Sequence, residues 1–254
     1  PAGVCWGAAA GVLFAGAACL VGADSSAAAL FPDRISLSKR DVVIWRNHLG
    51  GSLAGADGEH ENGYLSAVAM AGGNLRPIDS VDELQDTDVC LLWFPSVFAN
   101  PIEQETFTDF ILRAKELQVP IIVDAADQIP PVSNLWYYTK SLGADLAIFS
   151  GGKGLRGPSS SGLILGRSDL VAACRANSGI EHSVGRPAKV GKEELAGILA
   201  AVQEAVAEDF NTSHARWCDI IATWIEALSP LAVKGFTFTK TEHSHSGQPV
   251  PRLL

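Results

Sequence analysis

The sequence predicts an α/β protein in which helices cover both faces of a mainly parallel sheet, giving three layers, followed by the start of a small C-terminal domain. Short apolar runs alternate with segments of helical periodicity along most of the 254 residues. Residues 89–94 are apolar without alternation, which is typical of a strand buried on both faces. Because helical segments separate successive strands, we expect neighbouring strands to run parallel.

The first apolar run extends from Val4 to Val21 and predicts a buried helix. Its alanine and glycine residues allow close packing on a sheet, whereas a membrane span needs about 20 strongly apolar residues. No basic segment precedes the run, which argues against a signal peptide. Gly7, Ala8 and Ala9 would expose their amides near the helix start, where the dipole favours an anion. A membrane-anchored protein is the alternative.

The remaining elements follow in order along the chain. We predict strands at 41–45, 74–78, 89–94, 120–124, 146–149 and 163–165, and helices at 64–71, 101–117, 135–142, 192–210 and 213–228. The last two helices are amphipathic, with predicted buried stripes at Leu195, Ile198, Leu199 and Val202 and at Trp217, Ile221, Trp224 and Leu228. A hinge between about 200 and 212 would divide a large domain, 1–205, from the start of a small domain, 206–254.

Composition limits the classes of function. The net charge of −9 disfavours an extended nucleic-acid surface, which needs clustered lysine and arginine. The five cysteines are scattered and the six histidines lack metal-ligand spacing, which favours a reducing, cytoplasmic compartment and argues against a metal site. The chain begins at Pro1, and 250–254 look like the start of a strand, so we interpret it as part of a longer protein.

A single lysine, Lys153, lies between two apolar runs in a loop of glycine, serine and proline. Such a loop lets backbone approach a ligand closely, and a lysine held at a sheet edge can act as an amine nucleophile. Asp124 closes the preceding strand, and ligands of parallel sheets bind beyond the carboxyl ends of strands. Pyridoxal phosphate needs these parts: an amine for its aldehyde, a carboxylate for its ring nitrogen and a helix start for its phosphate.

Two segments resemble fold-type-I pyridoxal-phosphate enzymes. They are Val-Asp-Ala-Ala-Asp-Gln-Ile-Pro-Pro at 123–131 and the stretch 143–158, which contains Ser-Gly-Gly-Lys-Gly-Leu-Arg-Gly-Pro. The closest branch is that of the L-seryl-tRNA selenium transferase-like proteins, which includes D-glucosaminate-6-phosphate ammonia-lyase-type enzymes. Residues 185–194 resemble it too, and the similarity covers most of 5–200. The resemblance implies the three-layer fold, a homodimer and a pyridoxal 5'-phosphate cofactor.

Carried over by position, the resemblance gives roles to the residues of the lysine loop and its surroundings. Lys153 would be the Schiff-base lysine, and Asp124 would pair with the pyridine nitrogen. The phosphate would be bound by the Ser150 hydroxyl and by the amides of Gly7, Ala8 and Ala9.

Candidate residues can also be named for contacts with the ring hydroxyl, the ring face and the substrate. In related enzymes a residue three or four past the aspartate often contacts the ring hydroxyl, and here we favour Gln128 over Asp127. A neutral amide can donate to the phenolate oxygen, whereas a second carboxylate would repel it. His48 is the candidate to cover the ring face. Arg186 is a candidate for binding a substrate carboxylate, and Arg156 for binding a phosphate or capping the loop.

Two departures distinguish the chain from the selenium transferases. Gly152 stands where these enzymes usually carry an acidic residue, and the polar stretch 50–62 is irregular for the branch. The acidic balance also weighs against a tRNA substrate, so we do not expect selenium transfer. His60, His182 and Arg252 are weaker site candidates.

The expected function is a pyridoxal-phosphate-dependent enzyme whose partner is a small amine, either an amino acid or an amino sugar acid. Lys153 would release the cofactor to the substrate amine and then remove the α proton. A lyase-type elimination is the first choice, and an aminotransferase or racemase is the second. The alternative of another class is a degenerate scaffold without catalysis.

Overall fold

One sheet organises the fold. In the computed structural model, which describes residues 1–5, 7–21, 40–49, 63–95, 101–179, 182–244 and 247–254, seven strands form this sheet. The strands are β1 (Ala2–Cys5), β2 (Asp41–Trp45), β3 (Asn74–Ile78), β4 (Cys90–Trp93), β5 (Ile121–Asp124), β6 (Leu146–Ser150) and β7 (Gly162–Gly166). Their order is β1-β7-β6-β5-β4-β2-β3. Strands β2 to β6 pair in parallel, and β7 runs antiparallel to both of its neighbours.

Helices connect the strands and continue beyond the sheet. They are α1 (Gly7–Val21), α2 (Gly63–Met70), α3 (Pro101–Leu117), α4 (Ser168–Ala176), α5 (Lys192–Ala207) and α6 (Phe210–Leu228). Short helical segments lie at Arg46–Leu49, Val81–Glu83, Asn134–Trp136, Tyr137–Leu142, Arg186–Ala188 and Ser229–Lys234. Outside this sheet, strand β8 (Lys240–Thr241) pairs with strand β9 (Arg252–Leu253) in antiparallel orientation.

The core lies on both faces of the sheet. Ile122 and Ile148 face α1, α2 and α4, whereas their successors Val123 and Phe149 face α3 and α5. Consecutive side chains of a strand point to opposite faces, so both residues of each pair are buried only if both faces are covered. The predicted three-layer, mainly parallel fold is therefore confirmed.

The apolar run at the chain start has two parts that the sequence pattern did not separate. Ala2–Cys5 is a strand on the open side of β7, and the buried helix begins after it, at Gly7. Within the described ranges, no helix is long and apolar enough to cross a bilayer. The α1 segment has 15 residues, and its buried face packs in the core on one side of the sheet.

The buried faces of α5 and α6 differ from the predicted stripes. On α5, Ile198 is 1% exposed, whereas Leu195 and Leu199 are 43% and 60% exposed. Only a narrow row of α5 residues contacts the core, so the neighbouring leucines face outward. On α6, Ile221 is buried and Trp224 is 53% exposed. The assignment of Leu195, Leu199 and Trp224 to buried stripes was therefore wrong.

Candidate active site

Asp124 and Lys153 lie beyond the carboxyl ends of two neighbouring parallel strands. Asp124 is the last residue of β5 and pairs in register with Ile148 of β6, and Lys153 follows the end of β6 by three residues. The Asp124 side chain is buried, and burial raises the pKa of its carboxyl group to about 6. The backbone N–H of Ala126 and the nearby charge of Lys153 act in the opposite direction on this pKa. The two predicted residues are therefore brought together at one edge.

Backbone contacts hold the loop that carries Lys153. The Gly151 N–H donates to the Ser161 carbonyl oxygen at 2.7 Å, and the Gly157 N–H donates to the Gly151 carbonyl oxygen at 2.8 Å. The backbone of Gly154 passes against the Ile129 carbonyl, so a side chain at position 154 would collide with it. Glycine is required there because two backbone segments touch.

The start of α1 reaches the same edge from the other side of β7. Cys5 pairs with Gly162, and Gly162 pairs with Ser150, so the ends of β1 and β6 flank one strand. Gly7 has φ +69°, and the position of a Cβ on this residue has no atom within 4 Å. The first turn of α1 thus begins beside open space, on the side of the sheet where Ser150 ends β6.

Cys5 connects this helix start to Asp124. Its Sγ contacts the Gly7 carbonyl oxygen at 3.2 Å, which fixes the turn between β1 and α1. Burial, followed by the negative charge of Asp124, raises the pKa of the Cys5 thiol, so the thiol stays protonated beside the carboxylate. The helix start, Asp124 and Lys153 therefore all lie at the same edge of the sheet. The sequence analysis did not identify Cys5, because a lone cysteine in a short strand has no distinguishing spacing.

A cavity of about 330 Å³ opens next to Lys153. Its polar lining includes Asp127 and Arg156, and α6 contributes the aromatic rings of Phe210 and Trp217. Trp217 was predicted only as part of a helix stripe, because helical spacing does not show that a ring lines a cavity. Lys153 lines this cavity, whereas Asp124, Ser150 and Gly7 do not, so the cavity is the candidate substrate pocket on the basis of Lys153 alone.

Asp127, and not the favoured Gln128, lines this cavity. The Gln128 Nε2 donates to the Pro95 carbonyl oxygen at 3.1 Å, and its Oε1 accepts from the Tyr138 hydroxyl at 3.1 Å. Gln128 is 2% exposed, so its amide serves the packing of the loop after β5. The preference for Gln128 over Asp127 as the residue that contacts the ring hydroxyl stays a prediction.

His48 lies in an aromatic cluster formed with Trp45 and Trp93. Its ring stands edge-on to Trp93, with ring centroids 4.4 Å apart, and edge-on to Trp45 at 5.2 Å. The Phe94 N–H points to its Nδ1 at 3.5 Å, and the residue is buried. These contacts are those of a core residue, and His48 does not line the cavity beside Lys153.

The two arginine candidates have different positions. Arg156 lines the cavity, where it forms an ion pair with Glu208. Arg186 donates from Nη1 to the Gly179 carbonyl oxygen at 3.0 Å and does not line this cavity. His182 is exposed, and Arg252 lies in β9. His60 and the polar stretch 50–62 lie outside the described residues.

The chain is similar in sequence to two known enzymes. No protein-family model matches the chain. A 5'-C-glycyluridine monooxygenase-decarboxylase from a Streptomyces species is 35% identical over 265 residues, which cover 98% of this chain and 60% of the relative. A D-glucosaminate-6-phosphate ammonia lyase from Salmonella typhimurium is 27% identical over 236 residues, which cover 84% of this chain and 59% of the relative. The chain thus spans about 60% of the length of these relatives.

A solved structure of D-glucosaminate-6-phosphate ammonia-lyase has the same fold. It superimposes with a TM-score of 0.70 at 24% identity, covering 99% of this chain and 64% of that chain. The resemblance to the ammonia-lyase branch of the fold-type-I enzymes, inferred from the segments around Asp124 and Lys153, is therefore confirmed in sequence similarity and in fold.

Proposed function

We propose that this chain is the cofactor-binding part of a pyridoxal-phosphate-dependent enzyme in which Lys153 carries the cofactor. The observation that supports the proposal is that Lys153, buried Asp124 and the open start of α1 lie at one edge of the sheet. A bound pyridoxal phosphate supplies an electron sink for the negative charge that develops at a substrate carbon. The residues present fit this cofactor, because its aldehyde, its ring nitrogen and its phosphate each have a partner of the required chemistry at one edge of the sheet.

Asp124 is suited to hold a positively charged ring nitrogen. Its carboxylate is costly to ionise in its buried position, as the pKa of about 6 indicates, so a neighbouring cation would stabilise the charged form. The hydrogen bond from the Ala126 N–H to Oδ1, at 3.0 Å, fixes the orientation of the carboxylate. The amides of Gly7, Ala8 and Ala9, with the Ser150 hydroxyl, are the proposed donors to the phosphate.

Lys153 would have a second role as a base. Its free amine would take the α proton of the substrate, and its side chain is exposed. Asp127 and the rings of Phe210 and Trp217 surround the adjacent cavity. Carboxylates accept hydrogen bonds from hydroxyl groups, and rings pack against carbon chains, so this lining suits a hydroxylated substrate.

The proposed substrate is accordingly an amino acid that bears hydroxyl groups, such as an amino sugar acid, and the proposed reaction is an elimination. The similarity to D-glucosaminate-6-phosphate ammonia lyase supports this choice. The higher identity to a 5'-C-glycyluridine monooxygenase-decarboxylase favours a second candidate, oxidative decarboxylation of a glycyl nucleoside. Aminotransferase and racemase activities, and a non-catalytic scaffold, are further outcomes to be tested. We also propose a cytoplasmic homodimer that binds neither membrane nor nucleic acid.

Cofactor attachment is the first test. The purified chain is incubated with pyridoxal phosphate and treated with borohydride, and its peptides are analysed by mass spectrometry. We expect the reduced cofactor on Lys153, loss of label in Lys153→Ala and unchanged label in Lys192→Ala, whose side chain is 90% exposed. Label spread over exposed lysines, or absent, would contradict the proposal and favour the scaffold.

Product analysis then separates the two candidate reactions. D-glucosaminate 6-phosphate is offered in one assay, with release of ammonia as the readout. 5'-C-glycyluridine is offered in the other, with oxygen present and release of carbon dioxide as the readout. Ammonia release that depends on Lys153 supports the elimination, whereas carbon dioxide release without ammonia supports the second candidate.

A further inference from the structure

Three potential metal ligands from α6 and the β8 region come together away from Lys153. His214 and Cys218 are one helical turn apart on α6, and Glu242 follows β8. The His214 Nδ1 lies 3.9 Å from the Cys218 Sγ, and one donor atom from each of the three residues lies within 4.8 Å of the other two. Both α6 side chains are half-buried. The sequence alone does not show this group, because the third ligand is distant in the chain.

The spacing and chemistry of these donors suit zinc. Zinc binds sulfur at about 2.3 Å and imidazole nitrogen at about 2.0–2.1 Å, so a tetrahedral site separates these donors by about 3.6 Å. The observed 3.9 Å needs only a small side-chain adjustment to reach that separation. Two ligands at i and i+4 on a helix lie on one face, which is the arrangement of the histidine pair in helical zinc sites. Thiolate, imidazole and carboxylate are all established zinc ligands.

Lys240 is a cation that pairs with one member of this group. Its Nζ lies 3.0 Å from the Glu242 Oε1 and forms an ion pair with it. The ammonium ion therefore contacts one of the three donors. A zinc ion would replace this contact and release the lysine, which is 31% exposed and has access to solvent. Lys240 is thus placed as a competitor of the metal.

We propose that His214, Cys218 and Glu242 form a zinc site, with water as the fourth ligand. Binding deprotonates Cys218 and joins α6 to the segment after β8, so the metal would fasten these two parts of the chain together. This inference does not depend on the cofactor or on the reaction proposed for Lys153.

Zinc binding is measured on the purified chain by competition with a chromophoric zinc chelator. We expect one zinc ion per chain, and we expect Glu242→Gln to weaken binding by about tenfold or more. Glu242 is 59% exposed, so this variant leaves the fold intact. Cys218→Ser and His214→Ala should weaken binding at least as strongly. His243→Ala, which changes an exposed neighbouring histidine, is the matched control and should bind zinc as the unmodified chain does.

Two further measurements make the assignment specific. Cobalt added in place of zinc should give a thiolate-to-metal charge-transfer band that Cys218→Ser abolishes and His243→Ala retains. Lys240→Met removes the competing ammonium ion and should tighten zinc binding several-fold. Absence of zinc binding in both the unmodified chain and Lys240→Met, or binding that Glu242→Gln and Cys218→Ser leave unchanged, would overturn the proposal.

Discussion

The charge of Lys153 lowers the pKa of Asp124, although the two residues are 29 positions apart and lie on different loops. Their strands, β5 and β6, are parallel neighbours that end at the same edge of the sheet. Burial has the larger effect and raises the pKa of the Asp124 carboxyl group to about 6. Asp124 is therefore a buried acid with one lysine nearby, and its ionisation is a measurable property of the site.

The first prediction concerns stability and pH in the absence of cofactor. The pKa of Asp124 is higher in the folded chain than its ordinary value of about 3.9, so its ionised form opposes folding above pH 6. This contribution costs about 3 kcal/mol at pH 7 and disappears as the pH falls from about 6 to about 4. Asp124→Asn should therefore raise the free energy of unfolding at pH 7 and have little effect at pH 4. Urea denaturation at several pH values measures the difference.

Asp109→Asn is the control for this experiment, because Asp109 is an exposed carboxylate on α3. Its unfolding curve should follow that of the unmodified chain at each pH. A constant difference between Asp124→Asn and the unmodified chain across the whole range would show that ionisation of Asp124 is not the cause.

The second prediction concerns the face by which α5 packs on the sheet. Ile198 is buried, and its Cδ1 lies 2.7 Å from the position that a Cβ of Gly151 would occupy, so it supports the lysine loop. Ile198→Ala should lower the free energy of unfolding by about 2–5 kcal/mol. Leu199→Ala, one position further and 60% exposed, should change it by less than about 0.5 kcal/mol. Equal losses in urea denaturation would mean that α5 packs by a different face.

The third prediction concerns an ion pair next to the sheet. The Asp88 side chain is 1% exposed, and its Oδ2 lies 2.5 Å from the Arg76 Nη2 and 2.7 Å from the Gln85 backbone nitrogen. Arg76→Ala leaves this carboxylate buried without its cation and should lower the free energy of unfolding by about 3–5 kcal/mol. Thermal and urea denaturation measure this loss.

The matched control for Arg76 is Arg113, which pairs with Glu116 on the surface of α3. Arg113→Ala removes an exposed ion pair and should lower the free energy of unfolding by no more than about 1 kcal/mol. If both variants lose the same stability, burial of Asp88 is not what makes the first pair important.

The fourth prediction concerns the glycine that follows Lys153. Gly154→Ala places a methyl group against the Ile129 carbonyl, so the loop must move. We expect weaker binding of pyridoxal phosphate and a lower melting temperature. Gly3→Ala is the control, because its added methyl group would meet the Val171 Cγ1 at 3.7 Å, an ordinary contact. Unchanged cofactor binding in Gly154→Ala would show that the loop tolerates the displacement.

Much of the fold follows from the sequence because local patterns determine it. Strands β2 and β3 have the predicted bounds, and helix α1 was expected from its small apolar residues. Strand β1 was missed because its four residues gain their structure from pairing with β7, more than 150 positions away. Periodicity within a segment carries no information about such a partner.

For the candidate site residues, too, the sequence predicted positions along the strands better than it predicted side-chain contacts. Lys153 and Asp124 were found because strand ends at one edge bring them together whatever the details of the loops. The sequence did not show that Asp127 lines the cavity or that the ring of His48 packs against Trp45 and Trp93. Side-chain direction in a loop is set by tertiary packing, which residue type alone does not specify.

The pairing of β1 with β7 also determines when, during folding, the start of α1 can take its place beside the lysine loop. Strand β1 pairs with β7, so the first residues must wait for a strand made much later in synthesis before this pairing can form. Contacts of such sequence separation form slowly because a long loop must close first. A nascent chain that has not yet emerged beyond β7 would therefore present Lys153 before β1 has joined the sheet beside it.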